Sequence, residues 1–366
     1  MTKSDFIFML VRTALWKTPI DHFEMTPKEY RLVMEDGEKQ CIMGLISDCL
    51  RSNNMGLQKK CVIHMLKLQN SLLAENKKIN ENLMTLCNLL QANNIKFFVV
   101  KGQTIGVFYP KPELRMPGDI DFYVPPADFQ KAIDVINTAW GLELSNKQKG
   151  KHLEFDYNDS YLEMHRILRE FPYRKTQKDF DAILADCEPV YVKVDGCDVP
   201  TLPPTFNIVY TFLHLYHHFV KLGVAVRQLC DLAILLHQHR DDIDKAQLRE
   251  WLERLGFINA FTAFGTILIE KIGLPEEDFP FPLTATDRSY GAKALKLILK
   301  HGNWGKYDRK SKNKQSLAFM IEKTYFRISN QFLFMHLSPK YNRSLIFGEL
   351  PQKTAQTIKN FFKKEK

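Results

Sequence analysis

Residues 96–124 constrain the fold of this chain more than any other stretch. Lys96 to Val100 reads as a buried strand. The run breaks at Lys101 and Gly102, stays apolar and helical through Phe108, and ends in Gly118, Asp119, Ile120, Asp121, Phe122, Tyr123 and Val124. In a strand successive side chains alternate faces, so Asp119 and Asp121 project from one side while Ile120 and Phe122 enter a core. Two carboxylates held side by side repel unless a cation or a proton lies between them. A hard divalent cation, magnesium or manganese, meets that need with a few carboxylate oxygens and leaves its remaining positions to water and phosphate. A strand-glycine-helix corner such as Lys101, Gly102 and Gln103 turns backbone amides toward an anion, and a triphosphate is the natural occupant.

A second segment, residues 161–168, supplies a third acid. Residues 152–157 and 160–166 form the arms of a hairpin, with Asn158 and Asp159 as the turn. Glu163 lies between Leu162 and Met164, and Glu154 between Leu153 and Phe155; both are good strand settings for a carboxylate. A strand bringing such an acid beside Asp119 and Asp121 makes a cluster able to hold two metals roughly 4 Å apart, as in-line phosphoryl displacement requires. Lys101 and Arg115 are candidate phosphate contacts, with an ordinary surface charge as the competing reading of Arg115. His165 shares a face with Glu163 and reads either as a substrate or acid–base group or as a hydrogen-bonded structural histidine.

Lys101 with Gly102, a spacer containing Tyr109, Pro110 and Arg115, then Asp119, Ile120 and Asp121, and later Glu163, Met164 and His165, resemble the nucleotidyltransferase superfamily of the DNA polymerase β type. The chain is most similar there to a bacterial branch of largely uncharacterised nucleotidyltransferases. The resemblance implies an α+β fold: a small mixed or antiparallel sheet flanked by N-terminal helices and a C-terminal helical region. It matches Gly102 to the phosphate-binding glycine, Asp119 and Asp121 to the metal-binding pair, and Glu163 to the third acid. Gln103 stands where the general motif has glycine or serine, so a serine contact to phosphate is missing. The spacer before Asp119 is somewhat longer than usual. The match is specific over roughly residues 95–168.

The order of elements agrees with a mixed sheet. Residues 4–17 form a first helix, and Thr26 and Pro27 open a second as N-cap and first helical residue. Residues 56–93 give one long helical pattern or two helices with a break, packing on the sheet or walling the substrate cleft. Pro125 and Pro126 start a helix closed by Gly141, residues 142–144 make a short strand, 176–187 a helix, and a second hairpin turns at Asp195 and Gly196. After Pro203 the chain reads helical over 204–221, 225–239, 244–255, 257–272, 287–300 and 315–336. His214 and His218 share a helical face, yet no glutamate follows the zinc-protease pattern, which favours packing or cleft lining. Arg227 and Asp231, also typical of the resembled branch, are spaced for an intrahelical ion pair. These readings divide the chain into an N-terminal helical region (1–93), a catalytic core (94–202), a C-terminal helical domain (203–345) and a basic tail (346–366).

Charge and cysteine content narrow the setting. Residues 301–366 hold 14 Lys and Arg against 4 Asp and Glu, while the rest of the chain is nearly neutral, so this end reads either as a solvated surface with a frayed tail or as a surface for RNA, anionic lipid or a phosphorylated substrate. A basic amphipathic helix fits 351–364. The seven cysteines include no Cys-x-x-Cys pair, which argues for idle thiols in a reducing cytoplasm. No run approaches the ~20 apolar residues of a membrane span. The function expected is metal-dependent transfer of a nucleoside monophosphate from an NTP to a hydroxyl acceptor (small molecule, protein or RNA). The alternative is a catalytically weak module that binds nucleotide or RNA through the same lobe and the basic end.

Overall fold

The computed structural model describes residues 2–53, 55–146, 150–305 and 317–349. Helix α1 spans Lys3–Trp16, with the Thr2 hydroxyl accepting from the Asp5 N–H. The two-residue strand β1, Glu24–Met25, leads into α2, Pro27–Lys39. Thr26 and Glu29 there form the reciprocal capping box, with proline in the first turn as expected. Helix α3, Met43–Ser52, was not anticipated. It is short, with seven of its ten residues buried, and no side chain caps it, so it carries no start signal. After β2, Gly56–Leu57, which pairs in parallel with β1, comes α4, Lys59–Ala92. Of the two helical readings, the unbroken one is observed: 34 residues, about 50 Å long.

The central sheet is built from β3 (Phe98–Val100), β4 (Ile120–Tyr123), β5 (His152–Tyr157) and β6 (Ser160–His165), in the order β3-β4-β6-β5. β4 and β6 run parallel and the other two pairings are antiparallel, so the sheet is mixed as expected. α5 (Gly102–Gly106) follows β3, and α6 (Phe129–Trp140) follows β4. α5 is a single turn and stops short of Phe108. α6 starts three residues beyond Pro126 and closes on left-handed Gly141. Residues 142–144 form no strand. The Asn137 side chain instead bonds both the N–H and the carbonyl of Leu144 and holds the segment against the end of α6.

Alternation gives the sheet two unlike faces. Val99, Ile120, Phe122, Leu153, Leu162 and Met164 pack into one cluster with α4 (Leu83, Leu86, Leu90) and α6 (Ala132, Ile133, Ile136). The opposite face carries Asp121, Glu163 and His165 toward the C-terminal helices. α4 is fixed to the sheet by buried asparagines. Asn76 donates to the carbonyls of Glu113 and Arg115, and Asn82 donates to Ser160 Oγ. α4 thus packs on the sheet, the first of the two roles expected of residues 56–93.

Helix α7 (Arg174–Ala185) precedes the second hairpin, β7 (Val190–Val194) and β8 (Cys197–Thr201), which turns at Asp195 and Gly196 in positive φ. Then follow α8 (Pro204–Lys221), α9 (Val226–Gln238), α10 (Lys245–Leu255), α11 (Ile258–Ile267, continued by a π turn over Leu268–Ile272), α12 (Ala285–His301), α13 (Leu317–Leu333) and α14 (Pro339–Ser344). α8 is central, burying Phe206, Phe212, Tyr216 and Phe219. One apolar cluster joins residues of α1–α3 to those of α8–α12, and Trp16 Nε1 donates to the Ile272 carbonyl. The basic helix expected over 351–364 lies outside the described residues. Among those described, no single helix is long and apolar enough to cross a membrane, and all seven cysteines are free thiols.

Candidate active site

The sheet's acidic face and the α8–α9 helices enclose a cavity of about 600 Å³, a size suited to small ligands. Its sheet wall is set by register. Asp121 stands opposite Glu163 across the parallel β4–β6 ladder, and Glu163 stands opposite Glu154 across the β5–β6 hairpin. Three carboxylates therefore lie in a row on adjacent strands. Asp119, one residue before β4, lines the same cavity. Glu163 is the direct neighbour of Asp121, whereas Glu154 sits one strand further out. It is exposed and bonded by His152 Nε2 at 2.8 Å and by the Tyr161 hydroxyl.

Cations and protons already crowd this wall. Lys101 Nζ is 2.9 Å from Asp121 Oδ2, and His165 Nε2 donates to Asp121 Oδ1 at 2.9 Å and lies 3.5 Å from Glu163 Oε2. Burial alone would raise the pKa of Asp121, but Lys101 and His165 outweigh it and hold the carboxyl far below its usual range. Asp119 and Glu163 shift the other way. Burial and then the Asp121 charge raise both, Glu163 to about 7. Such like-charge frustration is relieved by a bound cation. The donors present, carboxylates with the imidazoles of His152 and His165, fit a divalent metal. One ligand atom from each of His152, Glu163 and His165 lies within 4.8 Å of the others.

The glycine corner takes a form the sequence implied only in part. Lys101 has φ 60° and ψ −148°, a strained conformation for a side-chain-bearing residue, and Gly102 follows at φ 47°. A Cβ on Gly102 would stand 3.4 Å from the Asp119 carbonyl, so the corner and the aspartate strand touch. The five-residue α5 is too short to present a helix dipole of any size. The Gln103 side chain bonds Asn76 and Asn80 of α4.

Arg115 is not a surface charge. At 4% exposed it lines the cavity and forms a two-pronged pair with Asp231, Nε to Oδ1 at 2.8 Å and Nη2 to Oδ2 at 2.9 Å, while its Nη1 has no hydrogen-bond partner among the described residues. Tyr109 adds a third hydrogen bond to that carboxylate at 2.7 Å. Arg227 makes no intrahelical pair. Its Nη1 donates to the carbonyls of Met116 and Pro117 at 2.8 and 2.9 Å. α9 thus grips residues 115–117 from both sides, just ahead of Gly118 and Asp119. The far wall belongs to α8, where Tyr210, His214, His217 and His218 face the cavity. The His214 and His218 rings lie tilted with their centroids 4.4 Å apart, and both line the cleft. Burial, with Lys101 next, holds His218 down at about 3. Arg169 and His152 are cavity residues that sequence reasoning missed; the charged residues after the β6 run were the available signal for Arg169, and the His152 position at the head of β5 was the signal for the other.

The sequence pattern of the family described as "Uncharacterised nucleotidyltransferase" matches residues 37–271. The chain belongs to that family. No curated protein matches it at a significant level. The nucleotidyltransferase match runs from the end of α2 through the π turn after α11, so the carboxylate strands, the glycine corner and the α8–α9 wall all fall inside it.

Proposed function

We propose that the chain transfers a nucleoside monophosphate from an NTP to a hydroxyl acceptor and releases pyrophosphate, with magnesium or manganese as the cofactor. The observation that carries this reading is the Asp121–Glu163 register with Asp119 opening on the same cavity, in a member of a nucleotidyltransferase family. Asp119, Asp121 and Glu163 are the residues to hold the divalent cation, which when bound supplies Lewis-acid stabilisation of charge on the phosphate oxygens. Lys101 neutralises Asp121 and stands ready to balance charge on the departing pyrophosphate. His165 anchors Asp121 through a buried hydrogen bond and so orients it. In the reaction the acceptor oxygen forms a bond to the α-phosphorus as the α–β bridging P–O bond breaks. Its proton leaves to a cluster carboxylate or to solvent.

Each of the four NTPs, labelled at the α-phosphate, is to be incubated with the full chain and a divalent cation, together with small hydroxyl compounds, RNA or protein. Label appearing in a new covalent product, with stoichiometric pyrophosphate, supports the proposal. Tight NTP binding without any transferred label points to a binding module instead.

A further inference from the structure

We propose that the helical end of the cavity is an oxyanion subsite, built on Arg169 and His214, that holds a phosphate or carboxylate group carried by the hydroxyl acceptor. The inference rests on nucleotidyl transfer as the reaction. It starts from an imbalance of charge. Lys101 and Arg115 in the cavity wall each face an acid, Asp121 and Asp231. Arg169 is 7% exposed and pairs with no carboxylate among the described residues. The neighbouring Glu170 is engaged by Lys151 instead. Arg169 Nη2 donates to the Tyr341 hydroxyl at 2.7 Å, and its Nε has no partner.

A guanidinium buried without a counter-charge is costly, and an incoming oxyanion offsets that cost. Its planar fork matches phosphate and carboxylate oxygens in pairs. The group is also held rigid. It lies over the rings of Phe171 and Tyr341 at 5.5 and 5.7 Å, and the Tyr341 hydroxyl is fixed in turn by His217. His214 lines the same cavity, and no hydrogen bond to its ring nitrogens is found among the described residues. Burial, then Lys101, keeps that imidazole neutral, so one ring N–H is available to donate.

Placement assigns this subsite to the acceptor rather than to the nucleotide. Lys101 and the glycine corner stand at the carboxylates, where the triphosphate belongs. Arg169, on the segment after β6, lines the same cavity as Lys101, Tyr210 and His214. With the triphosphate held at Lys101 and the glycine corner, Arg169 is left to the second substrate.

The test is calorimetric titration of the full chain with inorganic phosphate, with acetate, and separately with magnesium-ATP. Arg169→Gln is expected to weaken binding of the preferred oxyanion by at least about tenfold, while ATP affinity stays within about twofold. Asp119→Asn with Asp121→Asn is expected to do the reverse. Preference for phosphate over acetate assigns a phosphorylated acceptor; the opposite preference assigns a carboxylate. If Arg169→Gln does not fold, Arg169→Lys and His214→Gln take its place, each expected to weaken the oxyanion at least about threefold. The proposal is overturned if the parent binds neither oxyanion, if these variants bind it as the parent does, or if they weaken ATP as strongly as phosphate. Failure of the parent to bind ATP while it still binds the oxyanion would strike the transferase reading and leave the subsite standing.

Discussion

Replacing Asp231 by asparagine probes how the loop of residues 115–117 is held. The Asp231 carboxylate is 6% exposed and accepts hydrogen bonds from Arg115 Nε, Arg115 Nη2 and Tyr109 at 2.8, 2.9 and 2.7 Å. Asparagine keeps the shape, removes the charge and turns an amide donor toward a guanidinium whose Nη1 already lacks a partner. Breaking a buried pair from one side costs about 3–5 kcal/mol. For a chain of this length that lowers the melting temperature by roughly 5 °C. Urea unfolding followed by tryptophan fluorescence reads the loss directly. Removing both charges, as Arg115→Met with Asp231→Leu, is expected to recover much of it. The pH dependence has a definite sign. Burial would raise the Asp231 pKa, but Arg115 outweighs burial and lowers it. The pair's contribution is therefore complete above about pH 4, the unfolded-state value, and fades as pH falls below it. The gap between parent and Asp231→Asn should close in acid. A loss under about 1 kcal/mol, or a double variant as unstable as the sum of the two singles, would refute the reasoning.

Gly44 tests the seat of α3: a Cβ there would stand 1.7 Å from the Leu114 carbonyl, so Gly44→Ala should destabilise by about 2–3 kcal/mol in the same unfolding assay. Glu163 tests the frustration of the carboxylates. Its pKa rises from 4.5 to about 7 on folding, so the native state holds the extra proton between those values and stability falls as pH rises through them. Glu163→Gln escapes that penalty and should melt higher than the parent at pH 8 without divalent cations, by on the order of 1–3 kcal/mol, with the two converging near pH 4.5. Added magnesium should then stabilise the parent and leave the variant nearly unchanged.

Local chemistry made much of the sheet legible. The β5–β6 hairpin was readable because Asn158 and Asp159 tolerate their positive φ of 45° and 57° and the flanking runs alternate cleanly. The same alternation placed Asp121 and Glu163 on one face. What escaped depended on tertiary partners. Arg115 and Asp231 are 116 residues apart, and no local pattern announces their pairing. The four-residue spacing of Arg227 and Asp231 suggested a bond within α9, but each side chain found a better partner on the 115–117 loop. Gln103 sits at the expected corner, yet buried amides on α4 claim its side chain. Helix α3 has only ten residues and no capping side chain to mark its start, and tertiary packing buries even its Ser47 and Asp48.

The central claim is that Asp119, Asp121 and Glu163 act together to bind a divalent cation and, through it, an NTP. Titration of the parent with ATP, GTP, CTP and UTP, with and without magnesium or manganese, tests it most directly. The account predicts saturable, metal-dependent binding of at least one NTP, lost by about a hundredfold or more in both Asp119→Ala and Asp121→Ala while each variant keeps its fold. Metal-independent binding, or variants that bind as the parent does, would contradict it.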